Sequence, residues 1–398
     1  MADPKNTRGT TGQGKTAIWN NPTFRSITFQ AVAIVLIVWA GYSLFTNTLS
    51  NMERYGITTG FAFLDSTSGF GILMSLVEYD ETHTYGDTFI VGLLNTLLVS
   101  VMGIVTATLL GFVIGVARLS KNWLISKVAT VYVETLRNIP LLLQIFFWYF
   151  AVLQTLPHPR DSYSLWGSVF LNGRGLYLPG PIPESGFGVV TATFVAGIIA
   201  AIVTVRWAHK RQEATGQQFP SFLASLGLII VLPLLAFFAA GMPMSLDYPV
   251  LKGFNFGGGI TVIPELMALW WALSLYTASF IAEIVRAGIL AVSHGQTEAA
   301  HALGLRNGPT LRLVVIPQAM RVIIPPLTSQ YLNLAKNSSL ATAIGYPDLV
   351  GVFMGTTLNQ TGQAVEIVAM TMAVYLIMSL GISALMNWYN SKMALVER

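Results

Sequence analysis

Unbroken apolar runs separated by short polar links dominate this chain. A helix that crosses a bilayer needs about 20 apolar residues at roughly 1.5 Å of rise each. Eight stretches meet or approach that length: 27–45, 88–117, 129–156, 187–205, 222–242, 263–292, 313–334 and 365–388. A membrane barrel would need strict alternation instead of solid runs. The pattern therefore predicts an all-α membrane protein with about eight transmembrane helices. Three runs are well over 20 residues long, which predicts tilt or helical extension beyond the lipid. The sixth and seventh contain charges, so their ends are set only to within several residues.

The links between runs give the direction of insertion. One set carries fifteen Lys and Arg residues, from Lys5 to Arg398. The other carries Arg54, Arg160, Arg174 and Lys252. The positive side faces the cytoplasm, which puts both termini there and segments 46–87, 157–186 and 243–262 outside. Those outer segments read as loops, with Gly, Pro and acids such as Asp65, Glu78, Asp80 and Glu81. About 26 mostly polar residues precede the first run, which is longer than the 7–15 apolar residues of a secretory signal. An uncleaved first helix fits better than a cleaved signal peptide.

Composition narrows the function classes. Of 398 residues, 53% are apolar and 10% charged, against about 25% charged in soluble domains. That disfavours a soluble protein and disorder alike. The net charge is +4, and the basic residues are scattered over many links, so no stripe tracks a nucleic acid. The chain has no cysteine, which removes disulfides, thiolate metal sites and thiol nucleophiles. The five histidines, including His294 and His301, form no metal-ligand cluster. No nucleophile–base–acid set stands out, so no catalytic residue is assigned.

Gly9-Thr10-Thr11-Gly12-Gln13-Gly14-Lys15-Thr16 matches the phosphate-loop pattern letter for letter. That loop works only between a strand and a helix whose N-terminus holds the phosphates. Eight residues precede Gly9 and none reads as a strand. Pro22 follows too soon for a supporting helix. The segment reads as a flexible Gly/Thr tail, and the chain as one without an ATPase of its own.

The most informative link is 295–306, on the positive side. Thr297 is a good N-cap, and Glu298 would sit in the first turn, where the helix dipole favours an acid. Gly304 suits the C′ position, which takes positive φ. Asn307-Gly308-Pro309 then turns the chain, and Pro309 suits the start of another helix. The predicted element is a short capped helix with Ala299, Ala300, Leu303 and Leu305 on one face. Such a helix is not stable alone. It needs a partner surface, unless it simply packs on its own chain as a connecting loop.

Glu298-Ala299-Ala300, three residues, Gly304, nine residues, Val314, one residue and Ile316-Pro317 resembles the E-A-A-x3-G-x9-I-x-L-P loop of ATP-binding-cassette importer permeases. Val for Ile and Ile for Leu are mild departures. Three further stretches resemble the polar-amino-acid branch of that family: Tyr132 to Gln144, where Asn138 replaces the usual glycine, Phe280 to Ile289, and Leu334 to Leu340. The likeness covers about 86–388 apart from an insertion near 156–261.

The resemblance implies a five-helix type I importer core, enlarged as in the larger membrane subunits of general L-amino acid importers. The implied organisation is a cytoplasmic tail at 1–26, an extra first helix and outer loop at 27–87, core helices at 88–156, an inserted loop and two extra helices at 157–261, and the remaining core with its coupling loop at 262–398. It also implies that Glu298, Ala299, Ala300, Leu303, Gly304 and Leu305 dock on a separate ATPase dimer, which binds the ATP and Mg. No cofactor is then expected in this chain. The other implied partners are a second permease subunit, with a related chain favoured over a second copy, a periplasmic amino acid-binding protein and the lipid of a bacterial inner membrane.

Ionisable residues inside spans are costly and therefore informative. Glu134 and Arg137, and Glu283 and Arg286, share an i,i+3 spacing that puts each pair on one helix face. They read either as self-neutralising structural pairs or as a cytoplasmic gate that exchanges partners. Lys336, with Asn337, Ser338 and Ser339, lies toward the outer end of the seventh run. Lys336, or N–H groups of a broken helix, would suit an amino acid carboxylate. Gln144 is a further pathway candidate, and the aromatic stretch 146–150 reads as packing. Gly111 and Gly115 form a small-xxx-small pair for close helix approach.

Three functions compete. An ATP-driven importer subunit needs a docking helix. A secondary transporter has no ATPase to dock, and usually shows repeated halves that are not evident here. A channel or membrane enzyme has less support still.

Overall fold

The computed structural model describes residues 22–54 and 59–393. The phosphate-loop-like segment 9–16 and most of the tail 1–26 lie outside the described residues. Helix α1 (Pro22–Arg54) is followed by a short turn at Ala62–Asp65 and by α2 (Tyr85–Arg118). A full capping box starts α2: Thr84 accepts from the Asp87 N–H, while the Asp87 carboxylate accepts from the Thr84 N–H.

Helix α3 (Trp123–Asn138) and α4 (Leu141–Phe146, continued as a π-helical stretch to Leu153) form one broken span, bent by 107°. The sequence reading expected a single run there. Pro140 has no N–H and holds Ile139 extended at φ −98, ψ 127. The Gln144 side chain closes the gap, donating to the Leu136 and Ile139 carbonyls at 2.9 and 3.0 Å.

Four short strands follow: β1 (Tyr163–Leu165), β2 (Val169–Asn172), β3 (Gly175–Leu178) and β4 (Gly180–Pro183). A helical hairpin comes next, made of α5 (Phe187–Thr215) and the paired pieces α6 (Ser221–Leu226) and α7 (Leu232–Ala239). Four more strands close it: β5 (Met244–Asp247), β6 (Val250–Lys252), β7 (Asn255–Gly257) and β8 (Ile260–Val262). The expected loops are thus an antiparallel β layer. Its main sheet runs β1-β2-β3-β8, and β4 pairs with β5. The β3–β8 and β4–β5 pairings join segments roughly 60 to 90 residues apart, so neither segment shows them alone. Tyr177, fully buried, donates to Asn255 Oδ1 at 2.6 Å and ties the layer together.

The chain then forms α8 (Pro264–Leu290), α9 (His294–Ala302), α10 (Asn307–Thr310) and, after a π-helical turn, α11 (Ile316–Asn337). A 3₁₀ turn, Ser338–Ile344, continues α11. A π-helical stretch at Val350–Thr357, α12 (Leu358–Thr361) and α13 (Ala364–Met393) complete the fold.

Among the described residues, seven helices are long and apolar enough to span a membrane, and eight if the bent pair counts as one. The bundle is built around α8, whose buried residues run from Pro264 to Gly288. Helix α2 packs against it most closely. An added Cβ at Gly111 would lie 2.5 Å from Ile281 Cγ2, and one at Gly115 2.7 Å from the Ala282 carbonyl oxygen. The small-xxx-small pair is therefore a real contact seam. Helix α1 leaves its apolar side chains exposed along almost its whole length.

Candidate functional site

The short helix predicted at 295–306 forms, with different boundaries. Its N-cap is Ser293, not Thr297, and no side chain caps it. Thr297 and Glu298 lie inside the helix. Across its first turn His294 Nδ1 meets Glu298 Oε1 at 3.0 Å, an exposed i,i+4 contact. Its end is as read. Gly304 has φ +80, its N–H donates to the His301 carbonyl at 2.9 Å, and the Leu305 N–H donates to the Ala300 carbonyl at 3.1 Å. This is a Schellman motif, which consumes the last free carbonyls.

The face read as one docking stripe is split in two. Ala300 is buried and Leu305 half-buried, turned toward the chain, while α9 packs on the turn Leu311–Val315. Ala299 is exposed, and Leu303 is 83% exposed. A large apolar side chain held out by a capped helix, beside an alanine, is a knob shaped for a groove.

Four charges converge where α2, α3 and α8 meet. Arg118 ends α2 with its side chain only 10% exposed, and contacts Glu283 Oε2 directly. It lies 3.8 Å from Glu134 Oε1. Arg286 reaches both oxygens of Glu283, at 2.6 and 3.3 Å. Glu283 is therefore clamped between two guanidinium groups. The expected Glu134–Arg137 pair does not form. Arg137 lies instead over the Phe280 ring, 5.1 Å from its centroid, because α3 is docked on α8, with the Tyr132 hydroxyl donating to the Leu275 carbonyl at 2.8 Å. Arg118 was missed by the sequence reading, which assigned it to a link.

Glu283→Gln would leave Arg118 and Arg286 facing a neutral amide. The loss of a half-buried ion pair destabilises the chain by about 1–2 kcal/mol, below the 3–5 kcal/mol of fully buried pairs. A transport rate lowered at least tenfold, with the thermal midpoint lowered by only a few degrees, is expected. Normal uptake would remove the gate reading.

Lys336, Asn337, Ser338 and Ser339 do not lie at a broken helix. Helix α11 tightens without a gap into the 3₁₀ turn, because Ser338 Oγ and Ser339 Oγ both donate to carbonyls three residues back, at 2.8 Å. Lys336 is exposed and Ser338 buried. The turn Ser338–Ile344 packs against α2, α4 and α8, and α4 is the element that carries Gln144. Gln144 itself is buried at the kink, with its amide committed to the backbone. The charge cluster and the Lys336–Ser339 group lie toward opposite ends of the bundle.

A second buried polar group went unread. Gly345, at φ +76, ends the 3₁₀ turn, and Tyr346-Pro347-Asp348 follows. Asn95 Nδ2 donates to the Pro347 carbonyl at 2.9 Å, Tyr346 donates to the Asn95 carbonyl at 3.0 Å, and the Leu349 N–H donates to Thr96 Oγ1 at 3.0 Å. An Asn-Thr pair inside an apolar run was the available signal. The Asp348 carboxylate accepts from the Gly351 N–H at 2.8 Å, and its other oxygen is buried without a partner.

Burial pushes the Asp348 carboxyl up to about 6. The folded chain then keeps a proton that the unfolded chain releases, so stability rises as pH falls through about 6 and levels off near the usual carboxylate range. The whole effect is at most about 3 kcal/mol. Thermal midpoints in detergent should be higher at pH 5 than at pH 7.5, and Asp348→Asn should flatten the difference. Equal slopes in both proteins would count against it.

Residues 194–395 match the family described as binding-protein-dependent transport system inner membrane component. The chain is 57% identical over 378 residues to the putative amino-acid ABC transporter permease protein YhdX of Escherichia coli, covering 95% of this chain and 96% of that one. It is 55% identical over 378 residues to the general L-amino acid transport system permease protein AapQ of Rhizobium johnstonii, covering 95% and 94%. It is 45% identical over 406 residues to the glutamate/glutamine/aspartate/asparagine transport system permease protein BztB of Rhodobacter capsulatus, covering 94% and 95%.

Proposed function

We propose, from the premise that this chain belongs to the family of binding-protein-dependent transport system inner membrane components, that it is the translocating subunit of an importer that moves L-amino acids from periplasm to cytoplasm. The observation that carries this reading is near full-length identity to relatives named as amino acid permeases. Family membership also decides against the secondary transporter. The chain is a multi-pass inner-membrane protein of that family, with ATPase and binding-protein partners in general.

A separate ATPase dimer binds ATP and Mg and receives Leu303 and Ala299 of α9 in a surface groove. Closure of that dimer pushes α9 inward. The push reaches α8 directly through the short link at 291–293, and α11 through α10. Helix α2 follows α8, because no side chain separates them at Gly111 and Gly115. The Arg118–Glu283–Arg286 cluster then has to change partners, which makes it the cytoplasmic gate. Lys336 and the Ser338 turn are the substrate-contact candidates, and Gln144 holds the α3–α4 bend beside them. No covalent chemistry occurs in this polypeptide. Both termini are cytoplasmic, and the second permease is a related chain.

Purification from the native membrane in mild detergent, followed by mass spectrometry, tests this. A stoichiometric ATPase is expected, with a second permease beside it. A chain that came alone and moved amino acids in ATP-free liposomes would overturn the reading.

A further inference from the structure

The inserted helices and the C-terminal helix enclose a cleft of about 1120 Å³. That exceeds the roughly 300–1,000 Å³ of sites for drug-sized ligands. Its walls are apolar, with Ile198, Ile202 and Val205 from α5 and Ile229 from the hairpin's return. Arg206 and Lys210 line it, four residues apart on one face of α5, and Lys392 approaches from α13. No Asp or Glu lines the cleft, and none of the three cations has a carboxylate partner among the described residues. Lys392 Nζ sits 4.1 Å from the centroid of the Trp388 ring, and Trp207 is the second tryptophan at this height.

Depth fixes the environment of these charges. Helix α5 leaves the β layer at Phe187. Arg206 lies 19 residues on, or roughly 30 Å along the helix axis, which is about one hydrocarbon thickness. The cations and tryptophans therefore stand at the headgroup level of the leaflet opposite the β layer, above an apolar cleft that runs into the bilayer. Tryptophan belts and basic pockets between spans mark that level.

We infer that this cleft is a binding site for an anionic phospholipid, with its phosphate held by Arg206, Lys210 and Lys392 and its acyl chains along α5 and the hairpin. The site takes no part in the transport path described above. It depends only on the chain spanning a bilayer, and not on what the chain carries. Its failure would leave the importer reading intact.

The test uses the intact complex in mild detergent, titrated with phosphatidylglycerol, with phosphatidylcholine of the same acyl chains, and with inorganic phosphate, with binding read by native mass spectrometry. Phosphatidylglycerol should bind roughly a hundredfold tighter than phosphatidylcholine, at a factor of about five for each cation. Replacing all three cations (Arg206→Gln, Lys210→Gln, Lys392→Gln) should bring phosphatidylglycerol down to the phosphatidylcholine level and leave phosphatidylcholine unchanged. The residues are exposed, so folding should not suffer. The conservative Arg206→Lys should retain the preference. Equal affinity for the two lipids in the unmodified complex would reduce the cleft to a greasy groove and overturn the proposal. Binding of free phosphate as tight as that of the lipid would assign a soluble anion instead, and would overturn it equally.

Discussion

Leu303→Asp should abolish stimulation of the partner ATPase while leaving the permease folded. Leu303 is 83% exposed and ends a helix that is capped independently of it, so the substitution removes nothing the chain itself buries. In the docked state the leucine leaves water, which contributes about 1.5–3 kcal/mol. Its loss weakens docking about 10- to 150-fold, and an unpaired carboxylate forced into the groove weakens it further. Gly304→Asp should act in the same direction but less strongly. The space around Gly304 is open, so the cost is the left-handed backbone alone, about 1–2 kcal/mol, and aspartate tolerates that region better than most residues. ATP hydrolysis by the assembled complex, with the substrate-loaded binding protein present, reads both variants. Unchanged stimulation in Leu303→Asp would show that α9 is a connecting loop.

The double variant Gly111→Ala with Gly115→Ala should lose a large share of its folding stability. An added methyl at Gly111 meets the Ile281 side chain, and one at Gly115 meets the Ala282 carbonyl oxygen and Val285 Cβ at 2.7 and 2.8 Å. Overpacking costs about 1–3 kcal/mol at each site, or roughly 2–6 kcal/mol together. That is a large share of a typical folding free energy. The two helices must separate along the seam that we propose transmits motion from α8 to α2, so any surviving protein should also transport poorly. The thermal midpoint and the monodisperse fraction in detergent measure this. A midpoint within a degree or two of the parent would show that α2 and α8 slide apart at little cost.

Much of this molecule is local in origin, and that part was legible. An apolar run of about 20 residues has only one hydrogen-bonded solution in lipid, the helix, so the spans followed from composition along the chain. Gly304 was legible for the same reason. A helix that must end wants a residue free to take positive φ, and the Schellman bonds follow from the backbone. The Gly111–Gly115 spacing marked the contact face of α2, because only close approach uses two absent side chains on one ridge.

Other features depend on which segments meet. Glu134 turned from Arg137 to Arg118, since helix packing and not i,i+3 spacing decides which charge comes within reach. Two of the outer loops became strands because the helical hairpin between them brings β3 beside β8 and β4 beside β5. Thr297 lost the N-cap to Ser293, where the helix begins one turn earlier. Asn95 met Tyr346 and the Pro347 carbonyl across about 250 residues, and only burial made that pairing matter. The sequence by itself therefore determined where the apolar spans lie, the end of the short helix at Gly304 and the residue types available for coupling. The tertiary structure alone decided which charges pair, which strands meet and which side chains stay exposed, because those depend on distances between elements that no local pattern encodes.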